Sequence, residues 1–322
     1  MTLHHVHRLH GLIVDAPFEL PAVPLSAVPL PAVPLPAVPD DAVPDLVVEV
    51  TGQAWTGEIP DGRVVAALEA GDFFYRLVAH PAGFTFAFSR TAVFDLSDDL
   101  RHVTARPHEG ESPDRLPLFL SGAVIAAVLM LRGHAVLHAS CVEYDGVATA
   151  FVGDSGAGKS TVAAMLCATG AALVTDDVLR VDHSGAPLCH VGSTSLRLRQ
   201  GSRLVTGRSL DGEPTDLSVD GRVLWRPPQA SPGPIALAEV CELVVDPSIT
   251  APVKTTSDWK AGLQCLLRYP RVGNWRDTTS AAHFDTLVDV ARSVRVTQLR
   301  VPLGLPAVTG GAEQLASVVF ER

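Results

Sequence analysis

One stretch limits this chain more than any other: Gly153-Asp154-Ser155-Gly156-Ala157-Gly158-Lys159-Ser160-Thr161. Ahead of it, residues 147–152 are short and apolar, as a buried strand is; behind it, residues 161–166 open a helix. Strand, glycine-rich loop and helix in that order give G-x-x-x-x-G-K-[ST] its meaning as a phosphate-binding P-loop. The glycines let the backbone wrap so that successive N–H groups, and the positive end of the helix, point at phosphate oxygens. Lys159 adds a mobile point charge for the β- and γ-phosphates, and Ser160 brings a hydroxyl within reach of Mg²⁺. Residues Gly153 to Thr161 are thus the expected binding site for ATP and Mg²⁺.

The rest of the composition narrows the partners. With 25 Lys and Arg against 35 Asp and Glu, the formal charge is −10. Phosphate backbones select basic surfaces, so nucleic acid is not expected as a partner. The anionic nucleotide has to be held by local charge and backbone dipoles. Cys141, Cys167, Cys189, Cys241 and Cys265 are widely spaced, with no C-x-x-C pair. Neither a disulfide framework nor a zinc site follows, and reduced thiols in a cytoplasmic protein are the plain reading. The opening H-H-V-H-R-L-H (residues 4–10) has no apolar core of a signal peptide, and no nearby cysteine or carboxylate completes a metal set. The most apolar run, residues 116–131, is interrupted by Pro117, Ser121 and Gly122. It is shorter than the ~20 residues a bilayer takes, so a buried helix is expected and no membrane.

In chain order, residues 12–18 read as a strand. Five pentapeptides follow over 21–45: P-A-V-P-L, S-A-V-P-L, P-A-V-P-L, P-A-V-P-D and D-A-V-P-D. Proline at that density removes donors and fixes φ, so the tract should be extended polyproline II rather than packed sheet. A slipped-repeat insertion in a surface loop accounts for it without a partner. Strands are expected at 46–50, at 72–79 and 84–90 around the turn His80-Pro81-Ala82-Gly83, and within 93–102. Residues 102–114 are polar, with Pro107, Gly110 and Pro113, and mark a boundary. The division expected is a strand-rich region over 1–112 and an α/β catalytic domain with a mixed sheet over 113–322. Within the second part a helix (116–132), a strand (135–143) and a tight turn at Asp145-Gly146 precede the P-loop. Strands at 171–175, 178–181, 235–245 and 294–302 and helices at 259–269 and 281–293 follow.

A P-loop binds a nucleotide; a second acidic element has to hold Mg²⁺ and prepare the attacking group. Asp176-Asp177 supply it, seventeen and eighteen residues beyond Lys159, at the carboxyl end of the next strand. Two adjacent carboxylates allow one to serve the metal and the other to take a proton. His138, fifteen residues before Gly153, could stand beside them and tune a carboxylate by a hydrogen bond.

The run Leu137-His138-Ala139-Ser140, Asp145-Gly146, Phe151 to Thr161 and Thr175-Asp176-Asp177 resembles the catalytic domain of HPr kinase/phosphorylase. It is more similar still to the HPr-kinase-like serine kinases of lasso-peptide and related peptide biosynthesis clusters. The resemblance implies a P-loop kinase domain preceded by a strand-rich region, and transfer of the γ-phosphoryl of ATP to a serine hydroxyl of a peptide or small protein. It implies catalytic roles for Lys159, His138, Asp176 and Asp177. One of the acidic pair would act as base and the other, Asp177 in the first instance, would join Ser160 on the metal. Self-association is implied too, since the family's enzymes are oligomers. The E-x-R-G-x-G signature of the bifunctional enzymes is absent, with Leu196-Arg197-Leu198-Arg199 in roughly its place. A basic residue from a late loop assists the phosphoryl in the family, and Arg222 or Arg226 could serve. A nucleotide hydrolase or switch is the alternative, though there is no N-K-x-D and Asn274 is the sole asparagine. A nucleotide-stabilised peptide-binding module is another.

Overall fold

The computed structural model describes residues 4–24, 43–71, 73–199, 217–276, 280–305 and 308–321. The chain forms two compact units, Met1–His134 with Val272–His283, and Ala135–Arg271 with Phe284–Arg322. The division falls after His134, beyond the polar stretch at 102–114, so the apolar helix belongs to the first unit.

The first unit is built on nine strands: β1 (His5–Leu9), β2 (Leu12–Ala16), β3 (Val23–Pro24), β4 (Leu46–Val50), β5 (Arg63–Ala70), β6 (Phe73–His80), β7 (Gly83–Phe88), β8 (Ala92–Leu96) and β9 (His102–Pro107). They form one sheet in the order β3-β1-β2-β4-β9-β8-β7-β6-β5. The turn at 80–83 joins β6 to β7, with His80 opposite Gly83. A side chain at Gly83 would drive a Cβ to 2.2 Å from the Leu96 carbonyl, so only glycine fits. The start of the pentapeptide tract is not free polyproline: Val23 and Pro24 pair with Arg8 and His7. Residues 25–42, which hold most of the repeats, lie outside the described residues.

Aromatic alternation along β7 and β8 makes this unit's core. Phe86, Phe88 and Phe94 are buried, and the ring of Phe88 sits 4.7 Å from that of Phe119 on the helix. That helix, Pro113–Leu131, runs through Pro117, Ser121 and Gly122 without breaking. Pro117 lies in the first turn of the α-helical part, Leu116–Phe119, which follows a 3-10 turn over Pro113–Arg115. There the N–H it lacks would have no α-helical partner. Ser121 donates to the Pro117 carbonyl (2.8 Å), and the backbone widens into a π-turn over Leu120–Val124. At 19 residues it is longer than the apolar run over 116–131 and is long and apolar enough to cross a membrane by length and composition; 67% of its apolar window is buried inside the protein. The β5 edge is covered by the returning segment. An extra residue, Val65, bulges out of register and its carbonyl accepts from the Arg276 amide at 2.7 Å.

The second unit holds β10 (Ala135–Leu137), β11 (Ser140–Tyr144), β12 (Val147–Val152), β13 (Ala172–Thr175), β14 (Leu179–Ser184), β15 (Ala186–His190), β16 (Leu196–Leu198), β17 (Val223–Trp225), β18 (Pro234–Asp246), β19 (Val253–Thr256) and β20 (Arg295–Pro302). Its main sheet is mixed, in the order β10-β14-β15-β18-β12-β11-β13, with β20 parallel to β18 and β19 antiparallel to β20. β18 is parallel to β12, and β11 runs antiparallel to both β12 and β13. The helix Lys159–Ala168 buries Val162 to Cys167 against β-strand residues Val142, Phe151 and Leu243 and against Leu315, Ala316 and Val319 of the helix Gly311–Val319. That last helix has no counterpart among the elements read from sequence. All five cysteines are free and buried.

One sequence expectation fails where it matters. Residues 135–143 are not a continuous strand: β10 pairs with β14, and the chain then shifts at His138-Ala139 so that β11 pairs with β12 and β13. This break places His138 at the carboxyl edge of the sheet rather than inside it.

Candidate active site

The topology brings three chain segments to one edge. β12 and β13 run in the same direction, so Gly153 and Asp176 both leave the sheet at that end. β11 runs oppositely between them, so it starts there: Ser140 lies opposite Phe151 and Cys141 opposite Thr175.

The glycine loop is shaped by close approach. Gly153 has φ +151°, and a Cβ there would stand 2.9 Å from the Leu243 carbonyl. Gly158 caps the helix in the left-handed region at φ 95°, ψ 20°. No acidic residue of the helix itself occupies its first turn. Lys159 is buried and folds back over the loop, donating from Nζ to the Gly153 carbonyl (2.8 Å) and the Asp154 carbonyl (3.2 Å). Burial lowers its pKa, while the charges of Asp176, Asp177 and Asp154 oppose that fall.

The two aspartates stand in different surroundings. Asp176 is 7% exposed and accepts from neutral donors: Ser140 Oγ at 2.6 Å, Ser160 Oγ at 2.9 and 3.1 Å, and the Arg197 amide at 3.3 Å. Burial raises its carboxyl above the ordinary value, against the Ser140 bond, and the neighbouring Asp177 charge adds to the rise. Asp177 adopts φ 77°, a left-handed conformation few residues other than glycine, asparagine and aspartate visit. Its Oδ1 lies 3.1 Å from His138 Nδ1, and its Oδ2 accepts from the Arg271 guanidinium at 2.8 Å. Burial alone would raise this carboxyl too. The Arg271 charge, with the hydrogen bond and charge of His138, outweighs burial and holds Asp177 well below the ordinary carboxylate range. His138 Nδ1 also lies 3.0 Å from the Asp177 carbonyl. Both neighbours can only accept, which assigns the proton to Nδ1.

His138, Lys159, Ser160, Asp176 and Asp177 are therefore brought together at this edge. The pairing with Ser160 is the reverse of the expectation: the loop hydroxyl meets Asp176, and Asp177 is engaged by His138 and Arg271 instead. The reason is the turn after β13, which sends Asp176 back under the helix start while the positive φ at Asp177 swings the next side chain toward β10. Arg222 is occupied with Asp220 at 3.3 Å, and Arg226 follows β17 in an exposed position. Arg197 pairs with Asp220 at 2.9 Å. Arg199 reaches the loop itself, its guanidinium 3.6 Å from where a Cβ on Gly156 would be.

Two residues of the site escaped sequence reasoning. Ser140 sits two positions beyond His138, at the first residue of β11, across the break that sequence patterning did not show. Arg271 could not be read from sequence, since its contact with Asp177 spans 94 residues.

Among the described residues no group of three or more His, Cys, Asp or Glu gathers as a metal cage. A Ser160 hydroxyl and an Asp176 carboxylate fit Mg²⁺ nonetheless, because that ion takes few protein oxygens and completes its shell with phosphate and water.

No protein-family model matches the chain, and no curated protein does. In structure the chain is similar to the Hpr(Ser) kinase/phosphatase from Coxiella burnetii, at 14% identity and a TM-score of 0.31, over 58% of this chain and 94% of that one.

Proposed function

We propose that the second unit is an ATP- and Mg²⁺-dependent phosphotransferase acting on a serine hydroxyl of a peptide or small protein. The observation that carries this reading is the division between the two aspartates. One carboxylate faces the loop hydroxyl, and its neighbour is kept ionised beside a histidine, both next to a lysine-bearing glycine cradle.

Roles follow from those positions. The loop amides, the helix N-terminus and Lys159 bind the β- and γ-phosphates, with Nζ exchanging its two carbonyl partners for phosphate oxygens. Ser160 and Asp176 would hold Mg²⁺, which would supply charge neutralisation to the nucleotide phosphates. Asp177 accepts the proton of the attacking hydroxyl. The serine oxygen bonds to the γ-phosphorus as the bond to the β,γ-bridging oxygen breaks, and ADP leaves. A carboxylate below its ordinary pKa is a weak base, which suits this chemistry. In a loose phosphoryl-transfer transition state catalysis lies in placement and charge rather than in early proton removal. His138 orients the carboxylate by its Nδ1–H.

The test is incubation with γ-labelled ATP, Mg²⁺ and a pool of serine-containing peptides. Label on peptide supports the kinase; free phosphate alone marks a hydrolase; neither, with nucleotide bound, marks a binding module. Asp177→Asn is expected to lower transfer by about 10²–10⁴-fold, the range of general acid–base contributions, with nucleotide affinity kept. Transfer unchanged in that variant removes the assignment of the base.

A further inference from the structure

Arg271 has no place in any role assigned so far, and its geometry is specific. Resting on the phosphotransferase reading above, we infer that Arg271 is a positioning residue that fixes the Asp177 carboxylate for the attacking hydroxyl.

Three observations carry it. First, Arg271 and His138 divide the carboxylate between them, the guanidinium on Oδ2 at 2.8 Å and the imidazole on Oδ1 at 3.1 Å. Each carboxylate oxygen has two acceptor directions, so one on each oxygen remains for an incoming hydroxyl while the plane of the group is fixed. Second, the arginine is delivered by backbone rather than by a flexible tail. The Arg271 amide donates to the Val136 carbonyl at 3.1 Å, Leu137 and Pro270 form a bridge, and the His138 amide donates to the Tyr269 carbonyl at 2.8 Å. Residues 269–271 thus lie along β10 as a short added strand, and the same backbone contacts hold both clamps. Third, the Arg271 Nε is buried without a hydrogen-bond partner among the described residues. A guanidinium is seldom left with an unpaired buried donor, so this arginine is held here at a cost in hydrogen bonding.

The charged groups around Asp177 are Arg271 and His138 on one side and Asp176 and Lys159 on the other. With Asp176 immediately before it, Asp177 has a like charge as its chain neighbour. A carboxylate repelled by its neighbour needs a fixed counter-charge to stay in one place, and a mobile lysine would not fix its plane.

The experiment measures Mg·ATP turnover, as phosphate released to water and label passed to a serine-peptide pool, together with Mg·ATP affinity by calorimetry. Arg271→Ala should lower kcat about 10–100-fold with the nucleotide Kd within about threefold of the parent. Combined with Asp177→Asn it should add nothing further, because both act through one carboxylate. Guanidinium ion at tens of millimolar should restore part of the Arg271→Ala rate, and sodium chloride of equal ionic strength should not. Arg271→Lys keeps the charge without the planar fork, and covers the case in which the alanine variant fails to fold; it should remain at least about fivefold slow. A turnover within about threefold of the parent in either variant, or full additivity with Asp177→Asn, overturns the inference. So does a defect traced to nucleotide affinity. A parent protein that binds no Mg·ATP removes the kinase reading and this inference with it. A parent that binds and turns over, matched by Arg271→Ala, removes the inference alone.

Discussion

Both units are built on large sheets, yet they bury different things. The first buries aromatic rings, and its buried polar side chains are imidazoles and hydroxyls: His7, His10, Thr85, Ser89 and Thr91. Among the described residues every buried Lys, Asp or Glu, namely Lys159, Asp176 and Glu239, is in the second. Those three differ again among themselves. Glu239 is answered by protein, with Lys254 at 3.3 Å, Arg295 at 3.1 Å and the Thr297 hydroxyl at 2.7 Å. Lys159 and Asp176 are hydrogen-bonded only by neutral groups, a cation on carbonyls and an anion on hydroxyls and an amide. A charge that is buried and left to neutral partners is expensive to keep. The second unit keeps two such charges, of opposite sign, where β12 and β13 end, and the first unit keeps none. That contrast separates a packed sheet from one that keeps buried charge on neutral partners at its edge.

The contrast breaks most visibly under a core truncation. Phe88 touches Phe86, Phe94 and Phe119, all within the first unit. Phe88→Ala should cost about 3–5 kcal/mol of stability, the usual range for a buried ring. Mg·ATP affinity, measured where the variant is folded, should stay within about twofold. An affinity that falls with Phe88 would show that the two kinds of burial are not separate.

How much of this could be read in advance follows the same line. The cradle was legible because its chemistry is local: one strand, one loop and one helix within some twenty residues, with glycines where close approach demands them. Asp176 and Asp177 were legible as a pair but not as individuals. Which one meets Ser160 depends on a positive φ at Asp177 that no local pattern encodes. The strand over 135–143 misled, since apolar residues run through it while its pairing partners change at His138. The helix expected at 116–132 runs over 113–131, and its serine and glycine are absorbed by a backbone hydrogen bond and a widened turn. Arg271 and its partner are joined by tertiary structure alone.

A smaller effect tests the buried cation directly. Lys159→Met removes the group expected to meet the phosphates, so Mg·ATP affinity should fall about 100-fold, near 2.7 kcal/mol. The folded protein should lose little stability, because an ammonium held by two carbonyls is exchanged for an apolar chain of similar length. Calorimetric titration and urea unfolding read the two quantities separately. A large loss of stability with affinity retained would make Lys159 a structural charge, of the same kind as Glu239.

The smallest effect distinguishes the two neighbouring aspartates. Asparagine accepts the left-handed backbone at position 177 as readily as aspartate does, so Asp177→Asn removes the charge without straining the chain. Asp177, partly buried, is depressed in the folded state by Arg271 and His138, and an unfolded aspartate titrates near 3.9. Its contribution is therefore fully present above about pH 4 and is lost as pH falls from there through the folded value. Asp176 has the opposite sign: its raised carboxyl weakens the fold while ionised, and that penalty is relieved as pH falls through its folded value. The parent should thus exceed Asp177→Asn by on the order of 1–2 kcal/mol near neutral pH, with the gap closing below about pH 4. In the variant the relief at Asp176 remains, so its stability should fall less steeply on the acid side. Urea midpoints between pH 3 and pH 7 measure both curves. A gap that stays constant across that range would mean that the Arg271–Asp177 contact contributes no charge-dependent stability, and the neighbouring carboxylates would then be alike.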